Sequence, residues 1–307
     1  MFKLKIKLVI ATFYLVAATT QAGTIDVLWL GGTDTYNSNI SQLGVGGARE
    51  AGTWDPDSDG SNDWNITFWN SGTVDFTAYD ALVIGSTCRP ACGGSDGFFN
   101  LGVHPDLVLA NNTEISDARG DRTFVSGQDA DWHYYRDGSA TDRDDARGFL
   151  IDAVNWAGSG TGLGIVALAD GFVGSDNGWL TDANSFLAAD LGLSRINYQS
   201  DTVVIPDAES AGFPVNEGLD DAALSGWGTS SHTAFQKDLL PEDIWRTIND
   251  TANSSLAVTL VTAETAGGST TPPNSVPEPN SIALLLFGLA ALGISRRKKL
   301  FEQKAAR

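Results

Sequence analysis

The chain of 307 residues has only two cysteines, one methionine and three histidines, and its central part has very little positive charge. Residues 23–279 carry 10 basic and 37 acidic side chains, a net charge of −27, with Lys237 as the single lysine. Such a surface repels nucleic acid and anionic lipid, so we exclude both as partners of this region and expect cations instead. The hydrophobic fraction of 42% and the nine tryptophans exclude a wholly disordered chain.

The sequence also lacks an apolar run of full transmembrane length, although each end has a shorter one. Residues 1–22 join a basic start, an apolar stretch and small residues before Gly23, which predicts a secretory signal peptide cleaved after Ala22. Residues 281–295 hold no charge, and the basic residues 296–299 follow. A helix of that length spans about 22 Å of a bilayer core of roughly 30 Å. Because the basic flank can snorkel, we predict a marginal transmembrane helix over 281–295.

These ends predict the domain organisation. An exported domain at 23–263 precedes a Gly/Ser/Thr/Pro-rich linker at 264–275, whose composition cannot pack a core. The basic cluster stays cytoplasmic by the positive-inside rule, so the domain faces the opposite side of the membrane. Residues 300–307 then form a short cytoplasmic tail.

The segment 276–299 resembles a known sorting signal. Val276, Pro277, Glu278 and Pro279 precede the apolar segment and the basic cluster, which is the order found in the PEP-CTERM signal of Gram-negative bacteria. The resemblance implies an exosortase, a membrane protease, as partner. It also implies an inner-membrane stage with the domain facing the periplasm, and then release or re-anchoring in the outer envelope or outside the cell. Extracellular polysaccharide is a further implied partner. The alternative is an ordinary single-span anchor.

Apolar strand-like runs alternate with helix-like runs in the exported domain. We predict strands at 24–30, 64–69, 79–85, 122–126, 163–168, 202–205 and 256–261, and helices at 39–50, 142–156 and 177–191. This alternation predicts an α/β domain, a mostly parallel sheet with helices on both faces. The order resembles the flavodoxin-like sheet of class I glutamine amidotransferases. The turn at 125–129 contains no cysteine, so the resemblance implies that fold without its nucleophile.

One acidic segment has the spacing of a calcium loop. Asp55, Asp57, Asp59 and Asp63 place oxygen ligands at alternating positions, and Gly60 stands at the sixth. Position twelve is Ile66 rather than glutamate, so the second half of the pattern is not met. The segment predicts either a calcium site or a solvated acidic turn.

A second candidate site follows the predicted strand at 122–126. In an extended segment Asp129, Asp131 and His133 project to one side, where they could hold a divalent metal or act as acid and base. The alternative is that the two carboxylates turn the chain and that His133 packs beside Trp132. Asp34 and Asp170 would line the same rim of the predicted sheet. His232 could reach it, although the sequence favours a surface histidine there.

The remaining side chains of interest are cysteines and tryptophans. Cys88 and Cys92 predict a disulfide in an exported protein, with free thiols as the alternative. Trp54, Trp64 and Trp132 lie near polar loops and could stack on sugar rings or fill the base of a loop.

Together these features give two hypotheses about function. The first is a non-catalytic protein of the envelope or extracellular matrix that binds calcium or polysaccharide. The second is a secreted hydrolase that uses Asp129, Asp131 and His133. The lack of a nucleophile at the turn favours the first.

Overall fold

The computed structural model describes residues 23–30, 52–56, 63–69, 71–86, 104–133, 139–169, 178–192, 196–201, 203–210, 212–228, 230–252 and 255–263. In these residues eleven strands form one sheet. They are β1 (Ile25–Leu30), β2 (Gly52–Trp54), β3 (Trp64–Trp69), β4 (Ala81–Ile84), β5 (Arg119–Ser126), β6 (Leu163–Leu168), β7 (Ile196–Asp201), β8 (Val204–Pro206), β9 (Ser231–Gln236), β10 (Trp245–Thr251) and β11 (Leu256–Thr262).

Seven α-helices lie in the described part of the chain. They are α1 (His104–Ala110), α2 (Asn112–Ala118), α3 (Ala130–His133), α4 (Ala140–Gly158), α5 (Gly178–Thr181), α6 (Ala188–Leu191) and α7 (Asp221–Leu224). Short 3-10 turns cover Phe76–Ala78, Pro214–Asn216 and Lys237–Leu239. No helix among these residues is both long and apolar enough to cross a membrane.

The first half of the domain builds a parallel centre in the order β3-β1-β4-β6-β5. Its strands are rich in apolar residues, and every residue of β4 and β6 is buried. Successive side chains point to opposite faces of a strand, so Val27 and Trp29 enter one core cluster and Leu28 and Leu30 the other. The central strands are therefore buried on both faces, as parallel strands require.

Helix α4 covers one face of this centre. Its N-terminus is closed by a capping box, in which Ser139 Oγ accepts from Asp142 N and the Asp142 carboxylate accepts from Ser139 N. The buried stripe of α4 contains Phe149, Leu150 and Val154 among other residues. The helix lies so close to β6 that a Cβ on Gly164 would come within 2.2 Å of the Ala157 carbonyl oxygen. Only glycine fits there without a shift of backbone.

The second half of the domain is antiparallel. β11 pairs with β5, β10 and β9, β10 pairs with β8, and β9 pairs with β7, all in antiparallel register. β2 adds an antiparallel edge beside β3. Six of the ten strand pairs in the described residues are thus antiparallel and four are parallel.

The prediction of a mostly parallel, flavodoxin-like α/β sheet is therefore wrong. The sheet is mixed and mostly antiparallel, and the amidotransferase-like fold is not confirmed. The prediction extended the strand–helix alternation of the first half to the whole domain. After α4, the helices in the described residues are four residues long or shorter, so the later connections do not provide the helical crossovers that usually join parallel strands.

Individual elements were predicted with more success. The predicted strands at 24–30, 64–69, 79–85, 122–126, 163–168, 202–205 and 256–261 correspond to β1, β3, β4, β5, β6, β8 and β11, and the helix at 142–156 lies within α4. The single helix predicted at 177–191 is wrong, since that segment forms α5 and α6 with turns between them. The predicted helix at 39–50, the signal peptide at 1–22 and the segments at 264–307 lie outside the described residues.

At Gly127, β5 leaves the sheet and β9 takes its place beside β11. β5 pairs with β11 through Thr259–Val261, and β9 pairs with the preceding residues Leu256 and Ala257. Gly127 N donates to Val258 O at 2.8 Å, and Gly127 O accepts from His232 N at 2.9 Å. A Cβ on Gly127 would lie 1.7 Å from the Thr233 carbonyl oxygen, so the two backbone segments meet without room for a side chain at position 127.

Candidate functional site

The chain that leaves the sheet after Gly127 forms one short helical turn, α3, which brings Asp129 and His133 together. His133 N donates to Asp129 O at 3.1 Å, so the two residues stand four positions apart on a helical turn. Their side chains meet, with His133 Nε2 3.0 Å from Asp129 Oδ1. The prediction of an extended segment at Asp129–His133 is wrong, because the chain forms a helical turn here. In such a turn, side chains four positions apart lie on the same side, whereas in a strand those two positions apart do.

The third member of the cluster comes from β9. His232 Nε2 lies 3.5 Å from Asp129 Oδ1, and the His133 and His232 rings are stacked with centroids 6.0 Å apart and planes at 16°. The sequence favoured an isolated surface histidine at this position, and that interpretation is wrong. In the sequence, His232 stands out only as one of three histidines in the chain. Nothing in that sequence indicated that β9 would lie beside the end of β5.

The three side chains lie close enough together to hold one metal ion. One ligand atom from each of Asp129, His133 and His232 lies within 4.8 Å of the other two. Nitrogen and oxygen ligands about 2.0–2.2 Å from a tetrahedral Zn²⁺ are roughly 3.3 Å apart. The distances from Asp129 Oδ1 to His133 Nε2 and to His232 Nε2, 3.0 and 3.5 Å, lie on either side of that value. Within the described residues, no other group of three or more His, Cys, Asp or Glu side chains converges in this way.

Burial and the neighbouring histidines together set the pKa of the Asp129 carboxylate. The side chains of Asp129 and His133 are 4% and 2% exposed, and that of His232 is 15% exposed. Burial alone would raise the pKa of Asp129, but His133 and, more weakly, His232 outweigh it and hold the pKa below its usual value. Asp129 is therefore an anion at neutral pH, the form that binds a cation.

Asp131, the other predicted carboxylate, faces a different partner. Its two oxygens accept from Ser86 N at 2.9 Å and from Ser86 Oγ at 2.6 Å. Burial raises the pKa of Asp131 to about 7, although the Ser86 hydrogen bonds oppose the rise. Asp131 thus ties α3 to the chain segment after β4, and the structure does not bring it into the cluster of Asp129 and His133.

Trp227 forms an apolar wall beside the cluster. Its ring centroid is 5.9 Å from that of His133, and its indole Nε1 donates to Ala223 O at 2.8 Å. It also contacts Phe149 of α4 edge-to-face, with centroids 5.8 Å apart. The buried ring of Trp227 therefore contacts both the site and α4.

The other predicted site residues are described only in part. Asp55 and Asp63 lie at the same end of the β2–β3 hairpin, because Trp54 pairs with Trp64, while Asp57 and Asp59 lie outside the described residues. Asp34, Cys88, Cys92 and Asp170 also lie outside them. Trp54 and Trp64 are 3% and 0% exposed, so these two rings have no face open to a sugar.

Comparison with known proteins identifies the C-terminal signal. Residues 275–299 match the PEP-CTERM protein-sorting motif. No curated protein and no solved structure matches the chain. The chain therefore carries the PEP-CTERM signal of an exported protein that is anchored transiently in the membrane and processed by an exosortase, a membrane protease.

Proposed function

We propose that this exported protein binds one divalent transition-metal ion, with Zn²⁺ as the best fit, through Asp129, His133 and His232. The observation that carries the proposal is the convergence of one carboxylate and two imidazoles within 4.8 Å at the point where β5 gives way to β9. His133 lies in α3, Asp129 directly precedes it, and His232 lies on β9; the backbone hydrogen bond from His232 N to Gly127 O joins the two segments.

The chemistry of the ligands favours a transition metal over calcium. Imidazole nitrogen suits Zn²⁺, Cu²⁺, Fe²⁺ and Ni²⁺, whereas Ca²⁺ takes six to eight oxygen ligands. Burying an unpaired carboxylate would destabilise the folded state, and a bound cation would compensate the charge of the buried Asp129. The ion would also stabilise the folded state by mass action, by about 2.7 kcal/mol at a free concentration one hundred times Kd.

The place of action in this proposal is outside the cytoplasm, after processing by the exosortase. We retain the proposal that the protein is a non-catalytic component of the envelope or extracellular matrix, and that it binds the metal there. Polysaccharide remains a proposed partner of the protein, but the buried Trp54 and Trp64 give that proposal no support.

The acidic hairpin segment is a separate proposed site for calcium. The pairing of Trp54 with Trp64 brings Asp55 and Asp63, the two ends of this segment, to the same end of the hairpin, which supports the proposal. Its ligands are oxygens alone, so its preference among metals should differ from that of the histidine-containing site.

The two sites can be tested in one experiment on the exported protein purified from its host. After removal of metal by EDTA, Zn²⁺ should bind with a stoichiometry of one at the histidine site and raise the Tm. His133→Ala and His232→Gln should each lower the affinity for Zn²⁺ at least tenfold, and His104→Ala, a change of the third histidine, should leave it unchanged. Bound metal is measured by elemental analysis and Tm by calorimetry.

The controls separate the two cations. Any rise of Tm with Ca²⁺ should survive His133→Ala and disappear in Asp57→Ala/Asp59→Ala. If Zn²⁺ binds equally well to the wild-type protein and to both histidine variants, the assignment of Asp129, His133 and His232 as ligands is wrong. Absence of any Ca²⁺ effect contradicts the acidic hairpin site alone.

A further inference from the structure

The antiparallel half of the domain contains a cavity of about 830 Å³, and none of Asp129, His133 and His232 lines it. Its wall is formed by the segment after β8, the turn after β9, the start of β10 and the residue after β11. The wall includes Asp207, Ser210, Lys237, Leu240, Trp245 and Ala263. Pockets for small organic ligands have volumes of roughly 300–1,000 Å³, so this cavity is large enough to hold one.

The wall of the cavity is held in place by hydrogen bonds between its own segments. Lys237 Nζ contacts Asp207 Oδ2 at 2.9 Å and the two carboxylate oxygens of Asp250 at 3.0 and 2.9 Å. Arg246 Nε donates to Ser210 Oγ at 2.9 Å. These contacts join the segment after β8 to β10 and to the turn after β9. The cavity is therefore fixed before a ligand enters, which lowers the entropic cost of binding.

The basic side chains of the cavity already donate to the protein itself. The Lys237 ammonium has three N–H groups, and it makes three contacts with carboxylate oxygens. Arg246 donates through Nε and through Nη2, the latter to the Glu209 carbonyl oxygen at 2.7 Å. Its guanidinium also lies over the Phe213 ring, 5.5 Å from the centroid. Little donor capacity therefore remains for a ligand.

Two carboxylates of the cavity have their acceptor capacity unused. Glu209 and Glu242 are exposed residues of the wall. In the part of the chain that the structure describes, neither side-chain carboxylate takes part in a hydrogen bond or an ion pair. A carboxylate accepts about four hydrogen bonds. The cavity therefore offers mainly acceptors, which favours a positively charged ligand with several N–H groups.

The spacing of the acidic groups favours an organic cation over a metal ion. Among the described residues, only Asp129, His133 and His232 bring three metal-ligand atoms within 4.8 Å of one another. The acidic side chains of the cavity thus do not converge on one point, as the ligands of a metal ion must. Leu240 and Trp245 add apolar groups to the wall, against which methylene groups can pack.

We propose that this cavity binds a linear aliphatic polyamine, whose ammonium groups pair with Glu209 and Glu242 and whose methylene groups contact the apolar part of the wall. The net charge of −27 over residues 23–279 raises the local concentration of such a cation. The cavity and the metal site share no residue, so this inference does not depend on the metal.

The linker that follows β11 is a competing occupant, because Ala263 lines the cavity. Its composition does not match the wall. Residues 264–275 include the acidic Glu264 and no basic residue. A wall that offers carboxylates repels a further carboxylate and attracts ammonium groups, so the polyamine is the favoured occupant.

Calorimetric titration with spermidine tests the proposal on the exported protein, purified from its host and freed of metal with EDTA. We expect saturable binding to the wild-type protein. Glu209→Gln/Glu242→Gln should lower the affinity at least about tenfold, because it removes two charged acceptors. A neutral diol with a chain of the same length should not bind.

The matched control is Glu114→Gln/Asp144→Asn, which neutralises two exposed carboxylates on α2 and α4. It changes the net charge of the domain equally but leaves the cavity intact, so the affinity should change less than about threefold. The Tm of each variant without spermidine shows that it is folded. Exposed substitutions of this kind change stability little.

Four results would overturn the proposal. If spermidine does not bind, or if it binds Glu209→Gln/Glu242→Gln as tightly as the wild-type protein, the cavity is not its site. If the neutral diol binds as well as spermidine, apolar contact rather than charge selects the ligand. If Mg²⁺ binds with equal affinity and is lost in the same double variant, the cavity takes metal ions and the polyamine is wrong. None of these results affects the assignment of Asp129, His133 and His232.

Discussion

The parallel centre and the antiparallel second half of the sheet are held together by different means. In the centre, β4 and β6 bury only apolar side chains and glycine. In the second half, β9, β10 and β11 bury polar residues as well: Ser231, Thr233, Asn249, Asp250, Thr251 and Thr259. Apolar burial needs no particular partner, whereas each buried polar group needs a specific one.

Several polar groups of the second half pair with groups that are distant in sequence. Asn216 Nδ2 donates to Asn249 Oδ1 at 2.8 Å, and Thr259 Oγ1 lies 2.9 Å from Ser126 Oγ. Lys237 Nζ contacts Asp207 at 2.9 Å and both oxygens of Asp250 at 3.0 and 2.9 Å. Strands β4 and β6 of the centre are thus filled by apolar side chains alone, whereas the second half combines apolar side chains with polar pairs, and the proposed metal site lies where the two halves meet.

The largest effect should come from the apolar centre. Leu28→Ala on β1 removes a fully buried side chain from a close-packed core and should lower the free energy of unfolding by about 3 kcal/mol. The matched control is Leu239→Ala, since Leu239 is 42% exposed and its truncation should cost less than about 0.5 kcal/mol. Urea unfolding measures both. Equal losses in the two variants would show that the centre is not packed as described.

A smaller loss is expected from the antiparallel half when one matched pair is broken. Lys237→Ala leaves Asp250, which is only 3% exposed, and Asp207 without their cation, and should cost about 2 kcal/mol after allowance for the partial exposure of Lys237. Burial raises the pKa of Asp250 to about 6 even with Lys237 present. The carboxyl is therefore neutral well below pH 6, and the loss should be larger at pH 8 than at pH 5.

The control for that prediction is an exposed ion pair. Arg147 and Asp144 are 3.2 Å apart on α4, with side chains 37% and 67% exposed. Arg147→Ala should change the stability by less than about 0.5 kcal/mol at either pH. A pH-independent loss in Lys237→Ala would contradict the role assigned to the buried Asp250.

The smallest expected effect is a gain in stability from a substitution on α4. Burial and, less strongly, the nearby Glu217 raise the pKa of Asp152 to about 6. A carboxyl with a raised pKa in the folded state favours folding less once it ionises, so its cost appears as the pH rises from about 4 to 6. Asp152→Asn should remove that cost and raise the stability by about 1 kcal/mol at pH 8, after discount for solvent screening.

At pH 3 the same variant should differ little from the wild-type protein, because Asp152 is then largely protonated in both the folded and the unfolded state. Thermal unfolding at the two pH values checks this. If the variant is equally stabilised at both pH values, its gain in stability does not come from the ionisation of Asp152, and the assigned pKa shift is wrong.

The prediction of the elements succeeded where side chains alone decide the structure. Apolar runs such as those of β1, β4 and β6 indicate buried strands whatever their neighbours are. β9 and β10 were missed, since Ser231, Thr233, Asn249 and Asp250 are typical of loops until their partners are known. Pairing direction was also missed, because it depends on the connections between strands rather than on the strands themselves.

The candidate site was predicted in part for the same reason. Asp129 and His133 are close in sequence, and both were named, although with a twofold rather than a helical period. Asp131 was named with them but faces Ser86. His232 belongs to a strand that no periodic pattern revealed, so its place beside Asp129 could not be derived.

By itself, the sequence determined what is encoded contiguously: the acidic character of the domain, the apolar strands of its parallel centre and the PEP-CTERM signal at 275–299. Each of these depends on composition or on a short ordered motif. Only the tertiary structure decided the antiparallel half and the meeting of Asp129, His133 and His232. That meeting requires β9 to replace β5 beside β11 at Gly127, and hydrogen bonding between distant segments, not local preference, sets that exchange.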